Sequence, residues 1–64
     1  MNQYKVAYSY IRNGERVTEY DVGMDWTAQE AAQAVKEANA DLPGIRIERV
    51  WIDTGKAWEI REID

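Results

Sequence analysis

Apolar and polar positions alternate with a period of two along residues 4–10 and again along residues 17–22. Aromatic and β-branched residues dominate both segments, and this combination is typical of strands with one buried face. Asn13 and Gly14 lie between the two segments and mark a tight turn. The sequence therefore predicts an N-terminal β-hairpin.

The length of this loop decides which side chains of the hairpin share a face. A two-residue loop, Asn13-Gly14, would pair Val6 with Asp21 and bring acidic residues onto the apolar face. A three-residue loop, residues 12–14, places glycine in the left-handed region and pairs Val6 with Tyr20. We predict the three-residue loop, since a one-residue slip would turn every side chain over. The predicted core face of the hairpin then carries Tyr4, Val6, Tyr8, Tyr10, Tyr20 and Val22.

Residues 28–40 carry apolar residues at helical spacing. Thr27 and Glu30 have the spacing of an N-terminal capping box, and the helix is expected to stop before Pro43. Most residues of the apolar stripe are alanines, so the helix is expected to approach the sheet closely. The sheet must then supply most of the bulk of the core.

A second pair of strand-like segments surrounds Thr54 and Gly55. Thr54 is ill suited to the positive φ of a two-residue loop, so we predict a three-residue loop, residues 53–55, with Gly55 left-handed. The alternative is a two-residue loop, in which Trp51 lies opposite Trp58. The three-residue loop directs Trp51 outward, and its predicted core face carries Val50, Ile52, Trp58 and Ile60.

The three-residue loop leaves Ile45 and Ile47 in the same outward phase as Trp51. A β-bulge near Glu48 and Arg49 would change the phase of the strand and bury both isoleucines. We therefore predict a bulge at this position.

The order strand, strand, helix, strand, strand predicts an α+β fold for a single domain, residues 1–64. In this ββαββ arrangement a four-stranded sheet of two hairpins has one helix packed on one face. The element order resembles the immunoglobulin-binding domains of protein G and protein L and the ubiquitin-like roll. The resemblance implies the strand order 2-1-4-3, with one face of the sheet left open. No sequence motif accompanies the resemblance, so it implies no binding function.

The chain contains neither cysteine nor histidine. Disulfides, thiolate nucleophiles and the most common general base and metal ligand are therefore excluded. Phosphate-loop and calcium-loop spacings are also missing, so we expect a non-enzymatic protein without cofactor or metal. No apolar run reaches the length of a membrane span, and the N-terminus lacks a signal-peptide core. The expected location is the cytoplasm, with no membrane contact.

The net charge is −4, and residues 15–41 hold seven acidic residues against two basic ones. This uneven distribution predicts an acidic pole that binds a protein partner, for which a basic partner is the best match. The residues predicted to form the acidic pole are Glu19, Asp21, Glu30, Glu37 and Asp41.

A second candidate surface is the sheet face that the helix leaves uncovered. Exposed apolar residues grouped around a tryptophan are typical of a contact surface for a protein partner or a second copy of the chain. The residues predicted for this open sheet face are Ile11, Val17, Arg49, Trp51 and Arg61.

The expected function is a small acidic protein-interaction module. Proteins of this kind resemble in type the accessory proteins of phages and mobile elements, including inhibitors. The alternative is a nucleic-acid-binding domain that stacks bases on its open sheet. The sequence pI of about 4.7 argues against that alternative, since phosphate contacts require cations. Its candidate residues are Arg46, Arg49, Trp51 and Arg61.

Overall fold

A computed structural model describes residues 1–63, so Asp64 of the predicted domain lies outside the described residues. The elements follow the predicted order: β1 (Asn2–Arg12), β2 (Glu15–Asp25), α1 (Ala28–Ala38), β3 (Arg46–Asp53) and β4 (Trp58–Arg61). The four strands form one antiparallel sheet, and α1 packs on one of its faces. The α+β class and the ββαββ arrangement are thereby confirmed.

The strand order of the sheet is β2-β1-β3-β4. This order differs from the 2-1-4-3 order of the protein G-like and ubiquitin-like resemblance, in which the first and last strands are neighbours. Here β1 and β3 are the central strands and run antiparallel, and Val6 of β1 lies opposite Val50 of β3. Both valines are almost completely buried, whereas every residue of the four-residue strand β4 is exposed. β3 therefore contributes to the core from a central position, and β4 forms an exposed edge of the sheet.

The loop of the first hairpin is one residue shorter than predicted. Arg12 lies opposite Glu15, so Asn13 and Gly14 alone form the loop. Their φ angles are 52° and 79°, the left-handed pair that a type I′ turn requires. Asparagine tolerates this conformation, and the twist of the turn matches that of the strands, so the three-residue prediction was wrong.

This register turns β2 over relative to the prediction. Tyr20 lies opposite Ala7 and Val22 lies opposite Lys5, so both side chains are directed away from the helix. The predicted placement of Tyr20 and Val22 in the core was therefore wrong.

Substitution of the two glycines of the first hairpin tests the turn. Gly14→Ala is expected to lower the free energy of unfolding by about 1–2 kcal/mol, because the added Cβ opposes a left-handed backbone. Gly23→Ala is the matched control: Gly23 lies inside β2, and its added Cβ would meet no atom within 4 Å. Urea denaturation should show an unchanged or slightly higher stability for Gly23→Ala. Equal losses in the two variants would contradict the type I′ turn.

The second hairpin has a longer loop than either predicted form. Asp53 lies opposite Trp58, which leaves the four loop residues 54–57. The backbone N–H of Gly55 donates to Asp53 Oδ1 at 2.8 Å, and that of Thr54 donates to the carbonyl of Ala57 at 3.1 Å. An aspartate side chain that accepts from the backbone two residues on stabilises a turn of its own. Gly55 does have a positive φ of 86°, as predicted, but both predicted loop lengths were wrong.

The four-residue loop also changes the orientation of β4. Trp51 lies opposite Ile60, and Lys5 lies opposite Trp51 on the other side, so Ile60 and Trp58 are directed away from the helix. The outward position of Trp51 is confirmed. The predicted burial of Trp58 and Ile60 under the helix was wrong.

The predicted β-bulge is present in β3. The register between β1 and β3 shifts by one residue between Ala7, which faces Arg49, and Tyr8, which faces Ile47. Glu48 is the extra residue on β3. As expected, the phase change turns Ile47 toward the core, against which it packs partly buried.

The core lies between α1 and the helix-facing side of β1 and β3. Thr27 caps α1, because its Oγ1 accepts from the backbone N–H of Glu30 at 3.1 Å. The helix ends at Ala38, two residues before the predicted end, where Asn39 donates from its side chain to the carbonyl of Val35 at 2.8 Å. The buried core residues are Tyr4, Val6, Ala28, Ala31, Ala32 and Val50, and the partly buried ones packed against them are Val35, Ile47, Ile52 and Ile63.

Candidate functional site

The side of the sheet opposite α1, here called the open face, carries one side chain of each strand in a continuous row. Val22 of β2 lies beside Lys5 of β1, Lys5 lies beside Trp51 of β3, and Trp51 lies beside Ile60 of β4. Residues two positions along each strand add to the same face, since side chains alternate between the two faces of a sheet. The registers of three strand pairs therefore determine this surface.

Large apolar side chains dominate the open face. Trp51 is half-buried, and the five others are between 39% and 61% exposed. Contiguous exposed apolar residues on a small protein typically mark an interaction surface. We call this group the apolar patch; its residues are Tyr20, Val22, Met24, Trp51, Trp58 and Ile60.

Lys5 lies among the aromatic rings of the apolar patch. Its Nζ is 4.6 Å from the ring centroid of Trp51, 5.2 Å from that of Trp58 and 5.9 Å from that of Tyr20. The rings of Tyr20 and Trp51 are themselves 6.1 Å apart and tilted by 43°. Within residues 1–63, Lys5 makes no ion pair, so the rings are the main partners of its charge. Each such contact contributes about 0.5–1 kcal/mol at an exposed site and restricts the rotamers of the rings.

A shallow depression of about 430 Å³ adjoins the apolar patch at the bulge. Its floor is the buried Ala7, and its lining residues are Thr18, Tyr20, Glu48, Arg49 and Trp51. The bulge directs Glu48 to this side, where its carboxylate accepts from Arg46 Nε at 3.0 Å and from the Ser9 hydroxyl at 3.2 Å. The Arg46 hydrogen bond is the main reason that the pKa of Glu48 lies below its usual value, and the Ser9 bond adds to it.

Arg46 and Arg49 therefore differ in whether they form an ion pair. Glu48 remains ionised and neutralises Arg46, in a pair with an N–O distance of 3.0 Å. Arg49 makes no ion pair in the described part of the chain. Lys5 and Arg49 are thus the cations without an ion pair beside Trp51 in residues 1–63. Arg16 lies further along this side of the sheet, where it donates to the Ser9 hydroxyl at 2.9 Å and to the Gly44 carbonyl at 3.0 Å.

Of the five residues predicted for the open sheet face, Trp51 and Arg49 lie on it. Ile11 also lies on this side but is half-buried, because the turn after α1 packs against it and its backbone N–H donates to the Pro43 carbonyl at 2.8 Å. Val17 lies opposite the buried Tyr10, and Arg61 lies opposite the buried Val50. Their predicted placement on the open face was wrong, since both loop lengths differ from the predicted ones.

Sequence reasoning missed Lys5 and five members of the apolar patch. The signal for Tyr20, Val22 and Met24 was available, because Asn-Gly strongly favours the two-residue type I′ turn that places them here. Trp58 and Ile60 had no comparable local signal. Their position depends on a four-residue loop that the side chain of Asp53 stabilises.

The residues predicted for the acidic pole are spread over three elements. Glu19 is bound by Arg12, whose Nη2 lies 2.9 Å from its Oε2, and by the hydroxyl of Tyr10. This arrangement raises the pKa of Arg12, chiefly through its hydrogen bond to Tyr10. Asp21, together with Asp25, borders a cleft of about 230 Å³ between β2 and α1.

The other acidic-pole residues lie at or after the helix. Glu30 takes part in the cap with Thr27, and Glu37 accepts from Gln33 Nε2 at 2.9 Å. Asp41 is exposed in the turn that follows α1. The structure therefore brings Asp21 to a cleft but does not join all five acidic residues into one site.

Two of the arginines predicted for nucleic-acid binding form ion pairs with carboxylates of the chain itself. Arg46 pairs with Glu48, and Arg61 pairs with Glu59 at 3.5 Å on the helix side of the sheet. The basic character expected around Trp51 is therefore reduced to Arg49, together with Lys5.

The described residues 1–63 also lack the features of a metal site and of a membrane-spanning helix. Their acidic side chains form no group of three or more that could hold a metal ion. Nor do these residues include a helix long and apolar enough to cross a bilayer. Comparisons of the chain with protein-family models, curated protein sequences and solved structures found no match.

Proposed function

We propose that the chain is a non-enzymatic, cytoplasmic protein-interaction module that binds a protein partner through the apolar patch of the open face. The observation that carries the proposal is the grouping of five large apolar side chains, each 39–61% exposed, around a half-buried tryptophan. Tryptophan, tyrosine and methionine are enriched at protein interfaces, and tryptophan and tyrosine are also enriched among hot-spot residues. A role as a phage or mobile-element accessory protein belongs to the same proposal.

The contacts of Lys5 support the proposal on energetic grounds. Binding normally costs about 0.5–1.5 kcal/mol for each flexible side chain that becomes ordered. Tyr20, Trp51 and Trp58 are already restrained by Lys5 in the free protein. The free-energy cost of ordering these side chains is therefore lower when a partner packs against the rings.

Photocrosslinking in an extract of the native host tests the proposed surface. A benzophenone side chain in place of Tyr20 is expected to form an adduct with a protein partner, because Tyr20 is 61% exposed in the apolar patch. The same side chain in place of Trp26, which is 63% exposed outside the strands, is the matched control. Adducts of equal yield from both positions, or from position 26 alone, would contradict the proposal. An adduct between two copies would identify the partner as a second copy of the chain.

Single-stranded nucleic acid is the second candidate partner. The observation that favours it is the presence of Lys5 and Arg49 beside the indole of Trp51, since cations next to aromatic rings can bind phosphates and stack on bases. Titration with single-stranded oligonucleotides at low salt, followed by tryptophan fluorescence, tests this candidate. Quenching that is lost as salt increases would support it. An unchanged signal at millimolar nucleotide would exclude it.

A further inference from the structure

The outer edge of β2 is a long and regular strand edge. β2 has 11 residues, and its register with β1 continues from Arg12–Glu15 to Asn2–Asp25 without a bulge. In the two-residue turn, Arg12 and Glu15 exchange backbone hydrogen bonds, and such pairs alternate along an antiparallel ladder. The residues whose backbone N–H and C=O groups are directed away from β1 are therefore Arg16, Thr18, Tyr20, Val22 and Met24.

This edge has one of the usual devices that prevent strand addition but lacks the others. Natural edge strands are typically short, bulged, covered, interrupted by proline, or protected by charged side chains. The charged side chains of β2 are mostly acidic, with four carboxylates against Arg16. β2 is long and unbulged and contains neither proline nor lysine, and eight of its 11 residues are exposed. The opposite edge strand, β4, has only four residues. The edge of β2 is therefore the better template for an added strand.

The two sides of β2 differ in chemistry. The open side continues the apolar patch with Tyr20, Val22 and Met24. The helix side is acidic, and in residues 1–63 only Glu19 of its carboxylates pairs with a cation, Arg12. The helix-side residues of β2 are Glu15, Val17, Glu19, Asp21, Gly23 and Asp25.

Asp21 and Asp25 make no ion pair within residues 1–63, and both lie beside an apolar cleft. Both carboxylates border the cleft between β2 and α1, whose helix wall includes Ala34 and Ala38. Gly23, which lies between the two aspartates, leaves open space where a side chain would be. The stem of a lysine or arginine can lie along such an apolar wall while its charge reaches a carboxylate.

A second copy of β2 is a poor match for this edge. An antiparallel pair of β2 strands centred on Tyr20 would place Glu19 opposite Asp21 and Glu15 opposite Asp25. Like charges directly opposite each other destabilise a sheet. The acidic side of β2 therefore favours an added strand with cationic side chains.

We propose that the edge of β2 binds an extended segment of the partner protein as a fifth strand, in which basic residues alternate with apolar ones. The basic side chains lie on the helix side beside Asp21 and Asp25. The apolar side chains lie on the open side and extend the apolar patch from Tyr20, Val22 and Met24. Backbone hydrogen bonds to the edge give affinity, and the alternating side chains give specificity. This inference rests on the proposed function and defines the chemistry of its partner.

The probe for this proposal is a ten-residue peptide in which lysine alternates with valine or threonine. Its titration into the isotope-labelled full chain is expected to shift and protect from hydrogen exchange the outward amides of β2, at residues 16, 18, 20, 22 and 24. The same peptide with glutamate in place of lysine is expected to give no shifts. No shifts at millimolar lysine peptide, or shifts confined to other elements, would overturn the proposal.

Two charge-reversal variants distinguish binding at the edge of β2 from non-specific attraction between a basic peptide and an acidic protein. Asp21→Lys combined with Asp25→Lys is expected to weaken peptide binding by more than about tenfold, because the basic side chains then meet like charges. Glu30→Lys combined with Glu37→Lys changes the net charge equally but alters only the helix, so its peptide affinity should stay within about threefold. Equal losses in both variants would overturn the proposal.

Thr18→Pro tests the backbone contacts. Proline removes an outward N–H, and edge strands tolerate proline at such positions. Loss of one backbone hydrogen bond is expected to weaken peptide binding by about tenfold, whereas Thr18→Ala should leave it unchanged. Equal affinities of the proline and alanine variants would overturn strand addition. If the Tyr20 crosslink to a protein partner still forms in that case, the proposed function stands and only the edge proposal fails.

Discussion

Val50→Ala is expected to lower the free energy of unfolding by about 2 kcal/mol, because it leaves a cavity at the centre of the core. Val50 is completely buried and lies opposite Val6, which is 2% exposed. A chain of this length has a total stability of roughly 3–10 kcal/mol, so the loss is a large fraction of it. Urea denaturation followed by circular dichroism measures the change.

Val22→Ala is the matched control for this core prediction. Val22 lies on the open face and is 50% exposed, so its truncation should change the stability by no more than about 0.5 kcal/mol. The predicted core, with Val22 buried under the helix, would require a much larger loss. Similar destabilisation by the two valine variants would therefore contradict the observed register of β2.

Trp58→Ala is expected to weaken binding of the partner protein by at least about thirtyfold, the effect of losing a hot-spot residue worth about 2 kcal/mol. Trp58 is 39% exposed beside Lys5, so its indole is accessible to a partner and already restrained. Isothermal titration with the partner identified by crosslinking measures the affinity. Circular dichroism should show an intact fold, because Trp58 lies outside the core.

Trp26→Ala provides the control of the same residue type. Trp26 is 63% exposed and lies between β2 and α1, outside the apolar patch. The backbone carbonyl of Trp26 accepts a hydrogen bond from the Tyr4 hydroxyl at 3.4 Å, and the variant keeps this carbonyl. The affinity should stay within about twofold. Comparable losses for the two tryptophans would mean that exposed indole in general, rather than the open face, determines binding.

The features that could be predicted from the sequence are those with local signals. The order of elements followed from periodicity, and the start of α1 followed from the capping box of Thr27 and Glu30. The bulge at Glu48 could be predicted because Ile47 would otherwise share the outward face of Trp51, away from the core. Each of these inferences needed only a short segment of chain.

The loop length of the first hairpin was predicted incorrectly because the apolar pattern and the turn residues favour different registers. In the first hairpin, avoiding acidic residues on the core side outweighed the strong preference of Asn13 and Gly14 for a type I′ turn. The structure places Asp21 at a cleft beside the helix, where its carboxylate needs no burial. Amphipathic alternation therefore gave the wrong register at the edge strand, which is only partly covered.

The strand order and the surroundings of Lys5 could not be predicted because both depend on long-range pairing. Lys5 lies among three rings only because β1 pairs with both β2 and β3 and because β3 pairs with β4 in a particular register. No short segment contains this information. The candidate site therefore became visible only in the assembled sheet.

The position of Trp58 tests the central claim most directly. The apolar patch exists only if Trp51 and Trp58 both lie on the face of the sheet that is turned away from the helix. In nuclear Overhauser spectra of the free protein, the indole of Trp58 is expected to give contacts to the Lys5 side chain, and Lys5 is also expected to contact Trp51. Ring currents should shift the Lys5 methylene protons upfield. Contacts from the Trp58 indole to the methyl groups of Ala31 or Ala32, without contacts to Lys5, would contradict the account.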